Sequence, residues 1–264
     1  MLDALAPARR RFVVGVGALV ALAIASAVVL GLSGRGDGVT PVEQDAEPPV
    51  VLVPGYGGST ASLGVLADAL RGEGRTVRIV DLGADGRGDL HTQARVLDRT
   101  VRAVLDAANA TSVDLVGYSA GGVTVRVWMS DHDGGDVARR VVTLGSPHHG
   151  TEIAGLAADI APDSCPLACQ QLAPDSTLIR ELNAGDETPD GPEWVSIWTE
   201  DDRVVVPVSS ASLDGAVAFS VQSVCPGDPV THQRLPANPA VVAMTLLALG
   251  RELPVTPDAG VCGG

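Results

Sequence analysis

The chain has 264 residues, a formal net charge of −14 and a sequence pI near 4.6, and all 18 of its basic residues are arginine. That length allows one substantial core plus a short appendage. An acidic chain with no basic stripe is a poor match for a phosphate backbone, so nucleic acid is excluded as an expected partner. Aromatic residues are 3% of the total, and the core must therefore be built from Val, Leu, Ile and Ala, a globular rather than a disordered composition.

The first feature along the chain is Arg9, Arg10 and Arg11, followed by an uncharged apolar run of 21 residues from Phe12 to Leu32. As a helix the run would span about 30 Å, the thickness of a bilayer's hydrocarbon core. The arginines before it direct its N-terminus to the cytoplasm, so the remainder is expected to be exported, to the extracellular face of the membrane or into the medium. Two forms of export stay open. The small residues "ASA" at 25–27 fit cleavage of a signal peptide, whereas the full apolar length fits an uncleaved anchor. The expected organisation is a signal-anchor or signal peptide over 1–35, a Gly-, Pro- and charge-rich linker over 36–49, and a folded domain over 50–264. Cys165, Cys169, Cys225 and Cys262 all follow the apolar run, an even number where disulfides persist. Of the three pairings, Cys165–Cys169 would staple a short loop and Cys225–Cys262 would tie the C-terminal tail to the body, and these are favoured.

Within the domain, short β-branched runs alternate with longer helical patterns. Strands are expected near 50–53, 77–81, 113–116, 141–145, 194–199 and 217–222. Leu63, Leu66, Ala67 and Leu70 fall at helical spacing behind Ser59, a candidate cap. Leu90, Ala94, Leu97, Val101, Val104 and Leu105 share one face of a second helix, and a last, apolar helix is expected over 237–251. Alternation of this kind implies an α/β fold with a mostly parallel sheet of about six strands covered on both faces. Chemistry is then expected beyond the carboxyl ends of the strands.

"VGYSAGG" at 116–122 lies at such a point. Ser119 follows a strand and precedes a helix, and Gly117, Gly121 and Gly122 give the room a sharp strand-to-helix turn needs. A serine hydroxyl is a poor nucleophile at neutral pH, so it requires a histidine to take its proton and a carboxylate to orient that histidine. In this architecture the order is serine, acid, histidine. Among the five histidines only His232 lies beyond the last strand. His91 and His132 are expected to be solvated, and His148 and His149 to shape a loop or line the substrate. The acid should follow the strand at 194–199, where Glu200, Asp201 and Asp202 are all candidates; Asp228 sits on the histidine's own loop. The oxyanion donors expected are the amide of Ala120 and, from the glycine-rich turn "VPGYGGST", the amide of Tyr56. A phosphate-cradling role for that turn would need a lysine, and the chain has none. "DHDGGD" at 131–136 lacks the ligand ladder and terminal glutamate of a calcium loop.

Taken together, "VVLVPGYGGS", "VDLVGYSAGG", "VVTLGSPHHGT", "SIWTEDDRVVVP" and the His232 segment resemble, in order and over most of residues 50 to 251, the small secreted bacterial triacylglycerol lipases and esterases of the α/β-hydrolase fold, particularly the actinobacterial branch. The resemblance implies Ser119 as nucleophile, Asp202 of "DRVVVP" as acid, His232 as base, and Tyr56 and Ala120 as oxyanion donors. The chain departs from many relatives in carrying Pro54 where they have histidine, and "PVTHQRL" rather than a Gly-His pair at the base. The expected activity is cleavage of carboxylic esters, acylglycerols or other lipid esters, through an acyl-enzyme, by a monomer needing no metal or organic cofactor. Its partners would be the lipid or ester substrate and, if the N-terminal helix is uncleaved, a membrane. An acyltransferase on the same triad and a noncatalytic anchored binding protein are the alternatives.

Overall fold

A computed structural model of the chain describes residues 39–83 and 86–263. The expected anchor or signal peptide lies outside the described residues, and among those described no helix is long and apolar enough to cross a membrane.

Six strands form one sheet: β1 (Val50–Val53), β2 (Val77–Ile79), β3 (Val113–Tyr118), β4 (Ala138–Leu144), β5 (Glu193–Trp198) and β6 (Val217–Ser220), in the order β2-β1-β3-β4-β5-β6. Every neighbouring pair is parallel, which sharpens the expectation of a mostly parallel sheet. Both faces are covered, so the strands read as continuous apolar runs. Val51, Val53, Leu115 and Val141 face a layer containing α2 (Leu90–Ala108) and α3 (Ala120–Asp131), through Leu90, Ala94, Leu97, Val101, Val123 and Trp128. Val50, Leu52, Val116, Val142 and Ile197 face the opposite layer, which contains α1 (Gly64–Gly72) and α8 (Pro239–Ala248). The order reverses at β1, which has β2 on one side and β3 on the other. A crevice therefore opens beyond the ends of β1 and β3, the place where open parallel sheets bind ligands.

Several boundaries differ from the sequence expectation for local reasons. β4 starts at Ala138 rather than 141, and its Arg139 and Arg140 are fully buried. The register slips between Val113↔Ala138 and Asp114↔Arg140, a bulge whose extra residue is Arg139. Its guanidinium pairs with the buried Asp114 through Nε at 2.8 Å and Nη2 at 2.6 Å. β6 stops at Ser220 because that hydroxyl accepts the Ser223 N–H at 3.1 Å and starts the short α7 (Val221–Val224). Ser59 does not cap with its side chain; it precedes a 3-10 turn, Thr60–Leu63, and α1 follows. α8 is shorter than expected because Pro239 at its first turn and the Asn238 side chain, accepting from Val241 N–H at 3.1 Å, fix its start.

At the amino ends of the strands, Arg75 joins the Asp114–Arg139 pair at 2.5 Å. Part of the expected linker 36–49 is held there too: the Gln44 carbonyl accepts from Arg139 at 2.9 Å and the Pro48 carbonyl from Arg75 at 2.6 Å. Between β4 and β5 lie α4 (Glu152–Ile160), α5 (Leu167–Gln171) and α6 (Thr177–Leu182). The disulfides are Cys165–Cys169 and Cys225–Cys262, the favoured pairings.

Candidate active site

Ser119 ends the turn between β3 and α3 with φ +54° and ψ −128°. Such backbone costs a non-glycine residue of order 1–3 kcal/mol and persists only where its surroundings over-determine it. Here the turn is wedged against β1: a Cβ on Gly121 would collide with the carbonyl oxygen of Val53, and one on Gly55 would lie 2.9 Å from Ser119 Cβ. Glycine at both positions lets the serine rise above the sheet end next to the β1 loop.

Three of the residues singled out from sequence meet in one hydrogen-bonded chain. Ser119 Oγ lies 2.9 Å from His232 Nε2, and His232 Nδ1 lies 2.7 Å from Asp202 Oδ2. The carboxylate assigns the tautomer: Nδ1–H donates to Asp202, leaving Nε2 to accept the serine proton. All three residues are buried, with 9% or less exposure. Asp202 is held by its other oxygen, which accepts the N–H groups of Val204 and Val205 at 2.8 and 2.9 Å. The rival carboxylates have other partners. Glu200 accepts from Ser220 at 2.8 Å, Asp201 from Gln222 at 3.4 Å, and Asp228 from Asn238 at 3.2 Å.

A cleft of about 340 Å³ exposes the serine end of this chain, lined by Gly55, Tyr56, Ser62, Ser119, Val204 and His232 among others. Tyr56 lies in the β1 loop at its wall. Ala120 is the first residue of α3, so its N–H is among the first-turn donors with no partner inside the helix. Of the two expected oxyanion residues, Tyr56 thus lines the same cleft as Ser119, and Ala120 directly follows the serine at the start of α3.

The other histidines sort differently. His148 is fully buried, and its Nε2 lies 3.0 Å from Thr143 Oγ1. Thr143 donates onward to Ser196 at 3.1 Å, so Nε2–H is the donor to Thr143. Burial first, then the nearby Arg126, hold the His148 pKa well below its usual value. His148 therefore shapes its loop and does not reach the cleft. His149 pairs with Glu187 at 2.8 Å. His91, expected to be solvated, keeps 40% of its side chain exposed and pairs with Asp131 at 2.6 Å, whereas His132, expected to be solvated too, has a buried Nε2 because packing at the end of α3 is not visible in local sequence.

Sequence reasoning missed three supports. Tyr118 donates its hydroxyl to the His232 carbonyl at 3.2 Å, with ring centroids 5.3 Å apart; burial, and secondarily Asp202, push its pKa up to about 12. Gln222 ties the acid loop to the histidine loop, donating to Thr199 Oγ1 at 3.0 Å and to the Asp228 carbonyl at 2.9 Å, and accepting from Glu200 N–H at 2.9 Å. Gly145, at φ +56°, leaves room for the dyad: a Cβ there would lie 3.3 Å from His232 Nδ1. Only the glycine pattern carried a signal; Gln222 reads as part of a strand.

A family model described as the alpha/beta hydrolase fold matches residues 48–164. A triacylglycerol lipase of Burkholderia plantarii is 29% identical over 160 residues, covering 53% of this chain and 42% of that protein. One from Pseudarthrobacter phenanthrenivorans is 31% identical over 125 residues, 42% of this chain and 37% of that protein. The matched span is thus less than half the length of either curated relative. Lipase B of Aspergillus fumigatus superposes with a TM-score of 0.67 at 18% identity, covering 84% of this chain and 57% of that one. A Bacillus licheniformis lipase in its mature form gives 0.57 at 21% identity, covering 70% and 86%. By its parallel sheet and its superposition on these lipases the chain has the α/β-hydrolase fold, and over residues 48–164 its sequence is similar to the model of that family.

Proposed function

We propose that the protein is a serine hydrolase that cleaves carboxylic esters, with acylglycerols or other lipid esters as the substrate class. The observation that carries this reading is the continuous Ser119–His232–Asp202 chain ending in a cleft. Ser119 Oγ attacks the ester carbonyl as His232 Nε2 takes its proton, and Asp202 holds the resulting imidazolium in place. The carbonyl oxygen, now anionic, is received by the Tyr56 and Ala120 amides, each worth on the order of 3 kcal/mol when well aimed. His232 returns the proton to the departing alcohol, leaving an acyl-Ser119 ester. Water, deprotonated by the same histidine, then releases the acid. These steps require neither a metal nor an organic cofactor. The relatives named triacylglycerol lipase support the substrate class.

Export belongs to the same proposal. Two disulfides and the apolar run behind three arginines fit a domain outside the cytoplasm, anchored or released. The test is hydrolysis of short- and long-chain p-nitrophenyl esters by the full chain, with Ser119→Ala alongside. Loss of activity by a factor of about 10⁴ or more is expected, and undiminished hydrolysis by the variant sinks the mechanism. Adding a competing alcohol separates hydrolysis from acyl transfer by the product formed.

A further inference from the structure

Resting on the hydrolase reading, we propose that Gln93, which touches no reacting group, is the positioning residue that fixes the oxyanion loop at Tyr56–Gly58 through the carbonyl of Gly86. Gln93 occupies the first turns of α2, on the face otherwise made of Leu90, Ala94, Leu97 and Val101, and is only 5% exposed. A polar side chain on a core face is costly unless its hydrogen bonds are met. Its Nε2 donates to Gly88 O at 2.8 Å and to Gly86 O at 3.3 Å. The Gly86 carbonyl also accepts the N–H of Gly57 at 3.4 Å. The buried amide and the residue following Tyr56 thus meet on one oxygen.

The two turns are in close contact. Gly86 has φ +54°, and a Cβ there would lie 2.5 Å from Gly58 N and 2.7 Å from Gly58 Cα. From the other side, Gln171 of α5 accepts the Leu90 N–H at 2.8 Å and donates to Asp89 at 2.7 Å, while Ala168 N–H donates to the Arg87 carbonyl at 3.1 Å. The turn at 86–90 is therefore fastened to two helices, and it abuts the oxyanion loop.

That loop needs such a brace. Gly57 and Gly58 have φ of +90° and +65°, and within the loop Gly58 N–H bonds Gly55 O at 2.9 Å. Gly55 permits the close approach to Ser119, but three glycines in four residues leave the backbone soft. An oxyanion donor contributes only if it is aimed before the charge develops. A carboxamide with two N–H groups can hold two carbonyls at once; a hydrocarbon of equal size fills the same core volume and holds neither.

The experiment uses the full chain with p-nitrophenyl butyrate as substrate and phenylboronic acid as inhibitor, since the boronate forms a tetrahedral anion on the nucleophilic serine. Gln93→Met should lower kcat about tenfold with KM within about twofold, and weaken boronate inhibition by a similar factor, as expected for a small misplacement of a transition-state group. A folded variant that keeps wild-type kcat and boronate affinity overturns the proposal. So does a loss confined to KM, or one that matches a loss of folded protein. Should Gln93→Met not fold, Gln93→Asn replaces it, keeping a buried amide whose reach is one methylene too short; the same losses are expected, and full activity there is equally fatal. A wild-type chain that hydrolyses no ester refutes the hydrolase reading instead, before any variant is compared.

Discussion

The two ends of the sheet both bury charge, and they use it differently. At the amino ends of the strands, Asp114 is fully buried between Arg75 and Arg139. Arg139 spends its other donors on the carbonyls of Gln44, Leu249 and Gly250, at 2.9, 2.6 and 2.8 Å. That cluster closes on itself and on backbone, stitching the N-terminal approach and the end of α8 to β3 and β4. At the carboxyl ends, Asp202 and His232 are equally buried, but their chain finishes at a serine hydroxyl that opens into a cleft. Burial of an ionisable group is thus not in itself the mark of a site. What distinguishes the upper cluster is a terminal group with nothing beyond it but room for a ligand, held by backbone of positive φ.

Substitutions at the two ends should separate activity from stability. Asp202→Asn keeps the shape of the carboxylate but presents the wrong partner to His232 Nδ1, so kcat for ester hydrolysis should fall about 10⁴-fold while thermal unfolding barely changes. Asp114→Asn should do the reverse. It leaves two buried guanidinium groups facing no carboxylate, a loss of about 3–5 kcal/mol in denaturant unfolding, with activity per folded molecule retained. If Asp114→Asn abolished turnover in folded protein, or Asp202→Asn unfolded it, the division between a closed and an open cluster would be wrong.

A smaller effect sharpens the division within the upper end itself. His148 neighbours the active-site loops yet is buried without an open end, and its pKa in the fold is depressed below 6.5 by burial and then by Arg126. Its proton therefore binds the unfolded chain more readily. Stability from this residue is complete above the unfolded value near 6.5 and declines as pH falls through it, by at most about 1.4 kcal/mol per pH unit. His148→Gln, which can still donate to Thr143, should remove that part of the acid sensitivity while leaving turnover at neutral pH intact. Unfolding midpoints of the two proteins between pH 7 and 5 measure it; parallel curves would show that His148 is not a buried neutral histidine.

The amino-acid sequence by itself determined the strand–helix alternation, the crevice at the strand ends, the serine turn and the order serine, acid, histidine. Those features are local or ordinal: period-two and helical spacing, glycines at a tight turn, and position relative to the last strand. Position after the fifth strand left three carboxylates open at 200–202 and the family resemblance favoured Asp202; tertiary structure brings Asp202 Oδ2 within hydrogen-bonding distance of His232, while the Val204 and Val205 amides fix its other oxygen. Sequence also did not reveal Arg139 inside a strand, Gln93 beneath the turn that abuts Gly57 and Gly58, or Gln222 between the Asp202 and His232 loops. Arg139 is buried because Asp114, 25 residues away, meets its charge, Gln222 reaches back to Thr199, and Gln93 bonds the nearby Gly86 carbonyl that also takes the N–H of Gly57; which groups share such a bond is decided only once the chain has folded.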